Sequence, residues 1–257
     1  ENHKGVEVVF TRENETADDV IRERIRTRQV GLVVVTSDRA IIDEANRSRK
    51  DHIITIEDPI EFVHRSKEAV INHREVGMHT RSFSAALRGA LREDPDIILV
   101  GEMRDLETIS LAIEASATGH LVFATLHTTS AAKTVDRVIE VFPVNQQAQV
   151  RNTLADGLRA VVAQNLFKRI DKKGRCAALE IMIAIPAVRN LIRESKTFQI
   201  PSAMQTGKKY GMQTLDDAIM DHLKAKRISA DDAYAKCNNK DMFRPFLKNP
   251  PTDFTDA

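Results

Sequence analysis

Side chains that can do chemistry follow three apolar runs of this sequence. Glu102 ends the run IILVGE, the acids Glu57, Asp58 and Glu61 follow the run IITI, and His127 follows the run LVFATL. A carboxylate at the end of a strand can act as a general base or orient a metal-bound water. A neutral imidazole at such a place can hydrogen-bond to that carboxylate or to a phosphate. The residue types therefore predict acid–base chemistry supported by a histidine.

Short, uninterrupted apolar runs predict the elements that carry these residues. Runs rich in β-branched residues are typical of buried parallel strands, and helical patterns separate them here. The carboxyl ends of parallel strands meet at one edge of the sheet, where open α/β sheets bind their ligands. A single acid or histidine at a strand end also occurs as a solvent-facing or structural side chain. Three such ends in succession favour a functional site.

The predicted fold class is α/β, a parallel sheet flanked by helices and followed by a helical C-terminal region. A polar stretch at 46–51 predicts a junction, so we expect a β-α-β-α segment at 1–50, a core at 51–183 and a helical region at 184–257. The predicted strands are 6–10, 32–35, 53–56, 97–100, 121–126 and 176–183. The predicted helices are 16–28, 39–46, 82–92, 106–117, 131–141, 146–167, 186–194, 215–225 and 229–237.

The composition is that of a globular protein, with 42% hydrophobic and 29% charged residues among 257. The formal net charge of +1 does not favour nucleic acid as a partner. Two cysteines predict a reducing compartment, the cytoplasm. No apolar run reaches the roughly 20 residues that span a bilayer. The first residues are polar and do not include Met, so we expect no signal peptide and interpret the sequence as a fragment or a processed chain.

The three clusters together resemble motifs of the secretion-superfamily ATPases. EDPIEF at 57–62 resembles their Asp box, IILVGEMRD at 97–105 their Walker B motif, and GHLVFATLHTT at 119–129 their His box. Within that superfamily the sequence is most similar to PilT and PilU, the type IV pilus retraction ATPases of twitching motility, over residues 51–254. The resemblance implies that the sheet is a RecA-like core.

A role for each motif residue is implied by this resemblance. Glu102 would be the catalytic glutamate, with Mg²⁺ held through a water, and Glu61 would place the attacking water. His127 would contact the γ-phosphate of ATP. The other implied site residues are Glu57, Asp58 and Thr128 at the nucleotide and, in support, His120 and Arg104. The family implies a homohexameric ring in the cytoplasm, peripheral to the inner membrane, where it acts on a pilus platform protein and couples ATP hydrolysis to pilin disassembly.

A further similarity lies in the C-terminal region. AVRNLIRE at 187–194 resembles a PilT motif tied to retraction, and MQTLD at 212–216 also matches. The polar face of a helix with this sequence is either solvated or a docking surface. The residues implied to contact a partner are Arg189, Asn190, Leu191, Ile192, Arg193 and Glu194.

The sequence departs from the family at the phosphate-binding loop. The pattern Gly-x-x-x-x-Gly-Lys-Ser/Thr, whose amides and lysine hold phosphates, should lie about 25 residues before Glu61. The expected place reads VGLVVVTSD at 30–38, and the pattern occurs nowhere in the 257 residues. The family's PAS-like N-terminal domain is also expected to be missing. We therefore expect weak or no ATP affinity and an inactive or impaired chain on its own.

Residues 1–47 resemble a different family. VVFT at 8–11 and VVVTSDRA at 33–40 are similar to parts of a YacP-type NYN (PIN-like) ribonuclease domain, in which strand-end acids bind Mg²⁺. Asp18, Asp19 and Asp38 would be the matching ligands; alternatively, they only favour the starts of helices. Three functions stay open: a pilus-retraction motor of the PilT or PilU kind, a non-catalytic ring or partner subunit of the pilus machinery, and a magnesium-dependent ribonuclease.

Overall fold

The computed structural model describes residues 31–34 and 39–249. The predicted strand at 6–10, the predicted helix at 16–28, and Asp18, Asp19 and Asp38 lie outside these residues. The strands of the described part are β1 Gly31–Val34, β2 His52–Glu57, β3 Val70–Glu75, β4 Ile97–Val100, β5 Leu121–Ala124, β6 Leu158–Lys168 and β7 Arg175–Ile183.

Helices connect and follow these strands. They are α1 Arg39–Ser48, α2 Phe83–Ala90, α3 Leu106–Ala117, α4 Ala131–Glu140, α5 Val144–Gly157, α6 Pro186–Arg193, α7 Ile200–Thr206, α8 Leu215–Lys224, α9 Ala230–Lys236 and α10 Lys240–Phe243. Side-chain caps start several of them: Ser82 accepts a hydrogen bond from the amide of Ala85, and Ser130 accepts one from the amide of Lys133.

The strands form one sheet in the order β3-β2-β4-β5-β1-β6-β7. The pairings from β3 to β6 are parallel, and β7 joins β6 antiparallel. Strand β4 is central: Ile98 pairs with Ile54 of β2 and with Val122 of β5, and all four β4 residues are buried. This arrangement confirms the predicted parallel sheet and brings the carboxyl ends of β2, β4 and β5 side by side.

The predicted helix at 146–167 is wrong over its second half. Helix α5 ends at Gly157, and residues 158–168 form strand β6. The apolar residues of this stretch fit the spacing of a helix, but the run is also short enough for a buried strand, and periodicity does not separate the two. Strand β6 is held between β1 and β7, so its backbone groups are paired on both sides.

Strand β3 was not predicted, because VINHRE carries one apolar residue that is buried and otherwise polar or exposed side chains. It pairs with β2 at the edge of the sheet, where one face meets water. The strand places His73 opposite Thr55, next to the predicted Asp box.

The expected junction at 46–51 covers the end of α1 and the turn into β2. Strand β1 sits between β5 and β6, and α1 runs from it toward β2. Asn46 is buried, and its side chain donates to the carbonyl of Arg65 and accepts from the amide of Lys67, both at 2.8 Å. Strand β1 therefore belongs to the same sheet as the predicted core, and α1 is bonded to the loop between β2 and β3. A separate segment at 1–50 stays a prediction.

Beyond β7 the described chain is helical, as predicted. A second apolar cluster, which includes Phe167, Ile219 and Phe243, packs the C-terminal helices together and onto the outer strands. Among the residues that the structure describes, no helix has the length and apolarity needed to cross a membrane.

Candidate active site

A cleft of about 320 Å³ lies at the carboxyl ends of β2, β4 and β5. The predicted residues Glu57, Asp58, Glu61, Glu102, Arg104 and His127 all line it. Residues that the motifs did not single out complete the wall, namely Pro59, Phe83, Gly101, Thr125 and Leu126. The parallel topology therefore brings the three clusters into one site.

Gly101 lets the ends of β4 and β2 approach closely. A Cβ atom there would lie 3.0 Å from the carbonyl oxygen of Ile56 and 3.3 Å from Cα of Glu57. The amide of Gly101 donates to the same carbonyl at 2.8 Å. Without a side chain at 101, Glu102 follows directly and enters the cleft beside the Asp-box acids.

Glu102 is the best-partnered carboxylate of the cleft, and its side chain is 19% exposed. One oxygen lies 2.5 Å from Nη2 of Arg104, and the other lies 3.4 Å from Nε2 of His127. The hydrogen bond from Arg104 has the largest effect and lowers the pKa of Glu102. Burial opposes it, and the charges of Arg104 and His127 add smaller lowering effects. Glu102 is therefore ionised at neutral pH.

The acids after β2 differ in burial. Glu57 is 6% exposed, whereas Asp58 and Glu61 are exposed to solvent. The Oε2 atom of Glu57 accepts a hydrogen bond from the amide of Glu61 at 3.4 Å, and Glu75 of β3 accepts one from the amide of Ile60 at 3.2 Å. These bonds fix the backbone of the turn, so Glu61 is carried at a set position on the cleft rim.

His127 follows β5, and its side chain is 81% exposed. The hydroxyl of Thr125 donates to the carbonyl of Gly101, which joins the end of β5 to the end of β4. The chain then enters helix α4 at its cap, Ser130. The imidazole thus lies on a short, anchored loop and reaches Glu102 while staying open to a ligand.

Two residues implied by the His box lie elsewhere. His120 is at the opposite end of β5, where its Nδ1 lies 3.0 Å from the carbonyl oxygen of Ala115. Thr128 does not line the cleft, and its hydroxyl lies 2.6 Å from that of Thr134 in α4. Both side chains therefore fix the ends of helices in this structure.

The implied partner motif forms helix α6. Val188 and Ile192 are buried, while Asn190, Arg193 and Glu194 are exposed. Arg189 donates to the carbonyl of Ala184 at 2.7 Å. Arg193 pairs with Asp156 at the end of α5 and donates to Asn190 at 3.1 Å. The polar face is therefore exposed to solvent, and contacts with Ala184, Asp156 and Asn190 hold its arginines in place.

The cleft residues fit one end of a magnesium nucleotide. Glu102 offers an ionised carboxylate and His127 an accessible imidazole, which suit a water-bound cation and a terminal phosphate. Among the described residues, no group of three acids, histidines or cysteines could hold a metal ion. The described residues also supply no glycine-rich loop for the remaining phosphates.

Comparisons with known proteins agree with this geometry. The family model for "Type II/IV secretion system protein" matches residues 35–214. A "Twitching motility protein" of Neisseria gonorrhoeae is 51% identical over 230 residues, which are 86% of this chain and 62% of that protein. The "Type IV pilus retractation ATPase PilT" of Pseudomonas aeruginosa is 54% identical over 222 residues, 83% of this chain and 64% of that protein.

A solved structure shares the fold. The "Crystal Structure of the Pilus Retraction Motor PilT and Bound ADP" superposes with a TM-score of 0.81 at 40% identity, and it covers 93% of this chain and 70% of that one. The chain spans less than two thirds of the length of the two curated relatives. The sheet is thus the RecA-like core that the motifs implied, and the chain belongs to the Type II/IV secretion system protein family.

Proposed function

We propose that this chain is part of a type IV pilus retraction ATPase of the PilT kind. One observation carries the proposal: Glu102, Glu61 and His127 meet in one cleft at the ends of three neighbouring strands. Two acids and an imidazole in this arrangement suit the attack of water on a phosphoryl group, where catalysis consists of positioning and charge stabilisation. The high identity to two pilus-motility proteins supports the same choice of reaction.

Each cleft residue has a role in this proposal. Glu102, ionised and fixed by Arg104, accepts a hydrogen bond from the attacking water and orients it. Glu61 holds the same water from the rim of the cleft. His127 donates from Nε2 to an oxygen of the γ-phosphate, since it is exposed and close to Glu102. Bound magnesium would neutralise charge that develops on the phosphate oxygens.

The working assembly is proposed from the family resemblance. We infer a hexameric ring at the cytoplasmic side of the inner membrane, which acts on a pilus platform protein and returns pilin to the membrane. The exposed face of α6, with Arg193 and Glu194, is the surface we assign to that partner. Arg193 is already oriented by Asp156, so little side-chain freedom is lost on docking.

A second function is a non-catalytic ring subunit. It is favoured by one observation, the lack of Gly-x-x-x-x-Gly-Lys-Ser/Thr in the 257 residues. Such a subunit keeps the fold and the interfaces but loses the amides and the lysine that bind phosphates. Turnover by this chain alone would then be impaired, while assembly with pilus components is kept.

Nucleotide binding separates the two functions. Purified chain is titrated with MgATP in a calorimeter, and phosphate release is followed at the highest ATP concentration reached. Saturable binding with turnover supports the motor, whereas no saturable binding removes the motor function for this chain alone and leaves the non-catalytic subunit. Glu107→Gln, which changes an exposed acid paired with Arg88 outside the cleft, is the matched control for charge.

The ribonuclease function rests on Asp18, Asp19 and Asp38, which lie outside the described residues. It predicts magnesium-dependent cleavage of RNA that disappears in Asp38→Ala. No cleavage of a mixed RNA substrate by the purified chain would remove it.

A further inference from the structure

A row of polar side chains runs from the cleft to helix α1 behind it. It starts at Glu57 in the cleft wall and continues through His73 on β3 and His64 in the β2–β3 loop to Asp43 of α1. The side chains of Glu57, His73 and His64 are 8%, 14% and 4% exposed. A mostly buried row of titratable groups that reaches a candidate active site needs a physical account.

Glu57 has one satisfied oxygen and one that lacks a donor. Its Oε2 accepts from the amide of Glu61, but its buried Oε1 has no hydrogen-bond partner among the described residues. A buried carboxylate oxygen without a donor costs free energy, because it has lost the water that solvated it. Nδ1 of His73 lies 3.7 Å from this Oε1. The two atoms would have to approach by about 0.5 Å to form the missing bond.

His73 is held so that it can carry the required proton. Its Nδ1 lies 2.8 Å from the hydroxyl of Thr55, which can donate or accept. Its Nε2 lies 3.1 Å from both the amide nitrogen and the carbonyl oxygen of His64. Nε2 therefore accepts from that amide when it is unprotonated and donates to that carbonyl when it is protonated. The surroundings accept both neutral tautomers and the imidazolium.

The second histidine supports the first. The ring of His64 stacks on that of His73 with centroids 5.9 Å apart and an interplanar angle of 13°. Its Nδ1 lies 3.1 Å from Asp43. Burial, assisted by the charge of His73, lowers the pKa of His64, although Asp43 and Glu57 act in the opposite direction. His64 is therefore neutral at neutral pH.

We propose that His73 is a positioning residue, which donates its Nδ1 proton to Oε1 of Glu57 and so holds that carboxylate and the Asp-box turn in the cleft wall. The consequence for hydrolysis rests on the proposed function, since Glu57 binds the amide that leads into Glu61. The groups that face His73 from the packed elements are Thr55 and Glu57 on β2, His64 in the loop and, behind His64, Asp43 on α1.

The test measures the pKa of His73 in the full chain by NMR of the imidazole carbons. The chain has eight histidines, and the signal that is missing in the spectrum of His73→Gln is assigned to His73. In Glu57→Gln the His73 signal should titrate at lower pH than in the unaltered chain, because an opposite charge within about 4–6 Å is lost. Glu61 is a neighbouring exposed acid, and Glu61→Gln should leave the titration of the His73 signal unchanged. An unchanged pKa in Glu57→Gln overturns the proposal.

Turnover provides a second readout. His73→Leu removes the donor, whereas His73→Gln keeps an amide that can reach Glu57. We expect kcat to fall up to about 100-fold in His73→Leu with little change in KM, and to recover in part in His73→Gln. If the chain hydrolyses ATP but the titration of His73 does not respond to Glu57→Gln, this inference is overturned and the proposed ATPase function stands. Coupling without any turnover would remove the proposed ATPase and leave the role of His73 standing.

Discussion

Oε1 of Glu102 and Nε2 of His127, which follow neighbouring strands β4 and β5, lie 3.4 Å apart in the candidate cleft. At this distance the acid and the imidazole are direct neighbours on the cleft wall, and no water or phosphate fits between the two atoms. Arg104 occupies the second oxygen of Glu102, so the carboxylate cannot turn away from the cleft without losing an ion pair. The pair joins the ends of the two motifs at one place in the cleft.

Glu102→Gln tests the carboxylate. The amide keeps the shape of the side chain but cannot accept a proton or stay negatively charged, so ATP turnover should fall by about 10²–10³-fold with nucleotide affinity and fold preserved. Phosphate release and calorimetric titration measure the two quantities. Glu107→Gln should retain the turnover of the unaltered chain. Equal turnover in both variants would show that Glu102 is not catalytic.

His127→Ala and His120→Ala form a matched pair. Both histidines belong to the His-box motif, but only His127 lines the cleft, while His120 binds the carbonyl of Ala115 at the far end of β5. We expect His127→Ala to lower turnover by about 10²-fold through loss of one phosphate donor, and His120→Ala to leave it within about twofold. A larger loss in His120→Ala would contradict the placement of the two residues.

The burial of Glu180 should make the stability of the fold depend on pH. It is 7% exposed on β7 and accepts the amide of Ala131, the first residue of α4, at 2.7 Å. Burial raises its pKa above the ordinary 4.5. The carboxyl of Glu180 therefore binds its proton more tightly in the folded protein than in the unfolded chain. Between pH 4.5 and the raised pKa, the contribution of Glu180 to the unfolding free energy falls as pH rises.

Urea titrations at a series of pH values upward from 4.5 measure this effect. As pH rises, the unfolding free energy should decrease less in Glu180→Gln than in the unaltered chain, because the variant lacks the titrating proton. Glu140→Gln, an exposed acid at the end of α4, controls for a change of net charge. Parallel curves for Glu180→Gln and the unaltered chain would contradict the prediction.

The shared edge of the sheet at the site follows from sequence because β2, β4 and β5 are short apolar runs that each end in a polar cluster. Glu102, Glu61 and His127 could be assigned to one edge without coordinates for this reason. The distances between these residues could not be predicted, because the 3.4 Å contact of Glu102 with His127 depends on the path of the loops after β4 and β5. The anchoring bond from Thr125 to Gly101 joins two strands and has no signal in either segment alone.

Strands β3 and β6 show where sequence patterns fail. VINHRE has the composition of a loop and becomes a strand because β2 offers an unpaired edge. Residues 158–168 have the apolar content of a helix and become a strand because β1 and β7 pair with both sides. In each case a tertiary partner overrides the local preference. His73 could not be proposed before β3 was known, since only the sheet register brings it near Glu57.

Leu99→Ala tests the central strand. The side chain of Leu99 is 1% exposed in β4, so truncation leaves a cavity and should lower the unfolding free energy by about 2–5 kcal/mol. Val63→Ala, at a residue that is 66% exposed, should change it by no more than about 0.5 kcal/mol. Chemical unfolding of both variants measures the difference. Similar values would contradict the burial of β4.

Arg193→Ala tests the exposed face of α6. Arg193 pairs with Asp156, whose side chain is 70% exposed, so the ion pair itself adds little to stability and the variant should fold normally. If the face docks a pilus partner, the loss of an oriented guanidinium should weaken binding of the cytoplasmic part of the platform protein about tenfold or more.

Lys196→Ala, which removes another exposed cation that pairs with Glu194, is the matched control for this face. Binding is measured by surface plasmon resonance, and pilus retraction by twitching zones of cells that carry each variant. Since both variants remove one positive charge, a general electrostatic attraction would weaken binding equally in the two. A loss confined to Arg193→Ala supports a specific docking contact, whereas intact binding and retraction in Arg193→Ala would show that the face is only solvated.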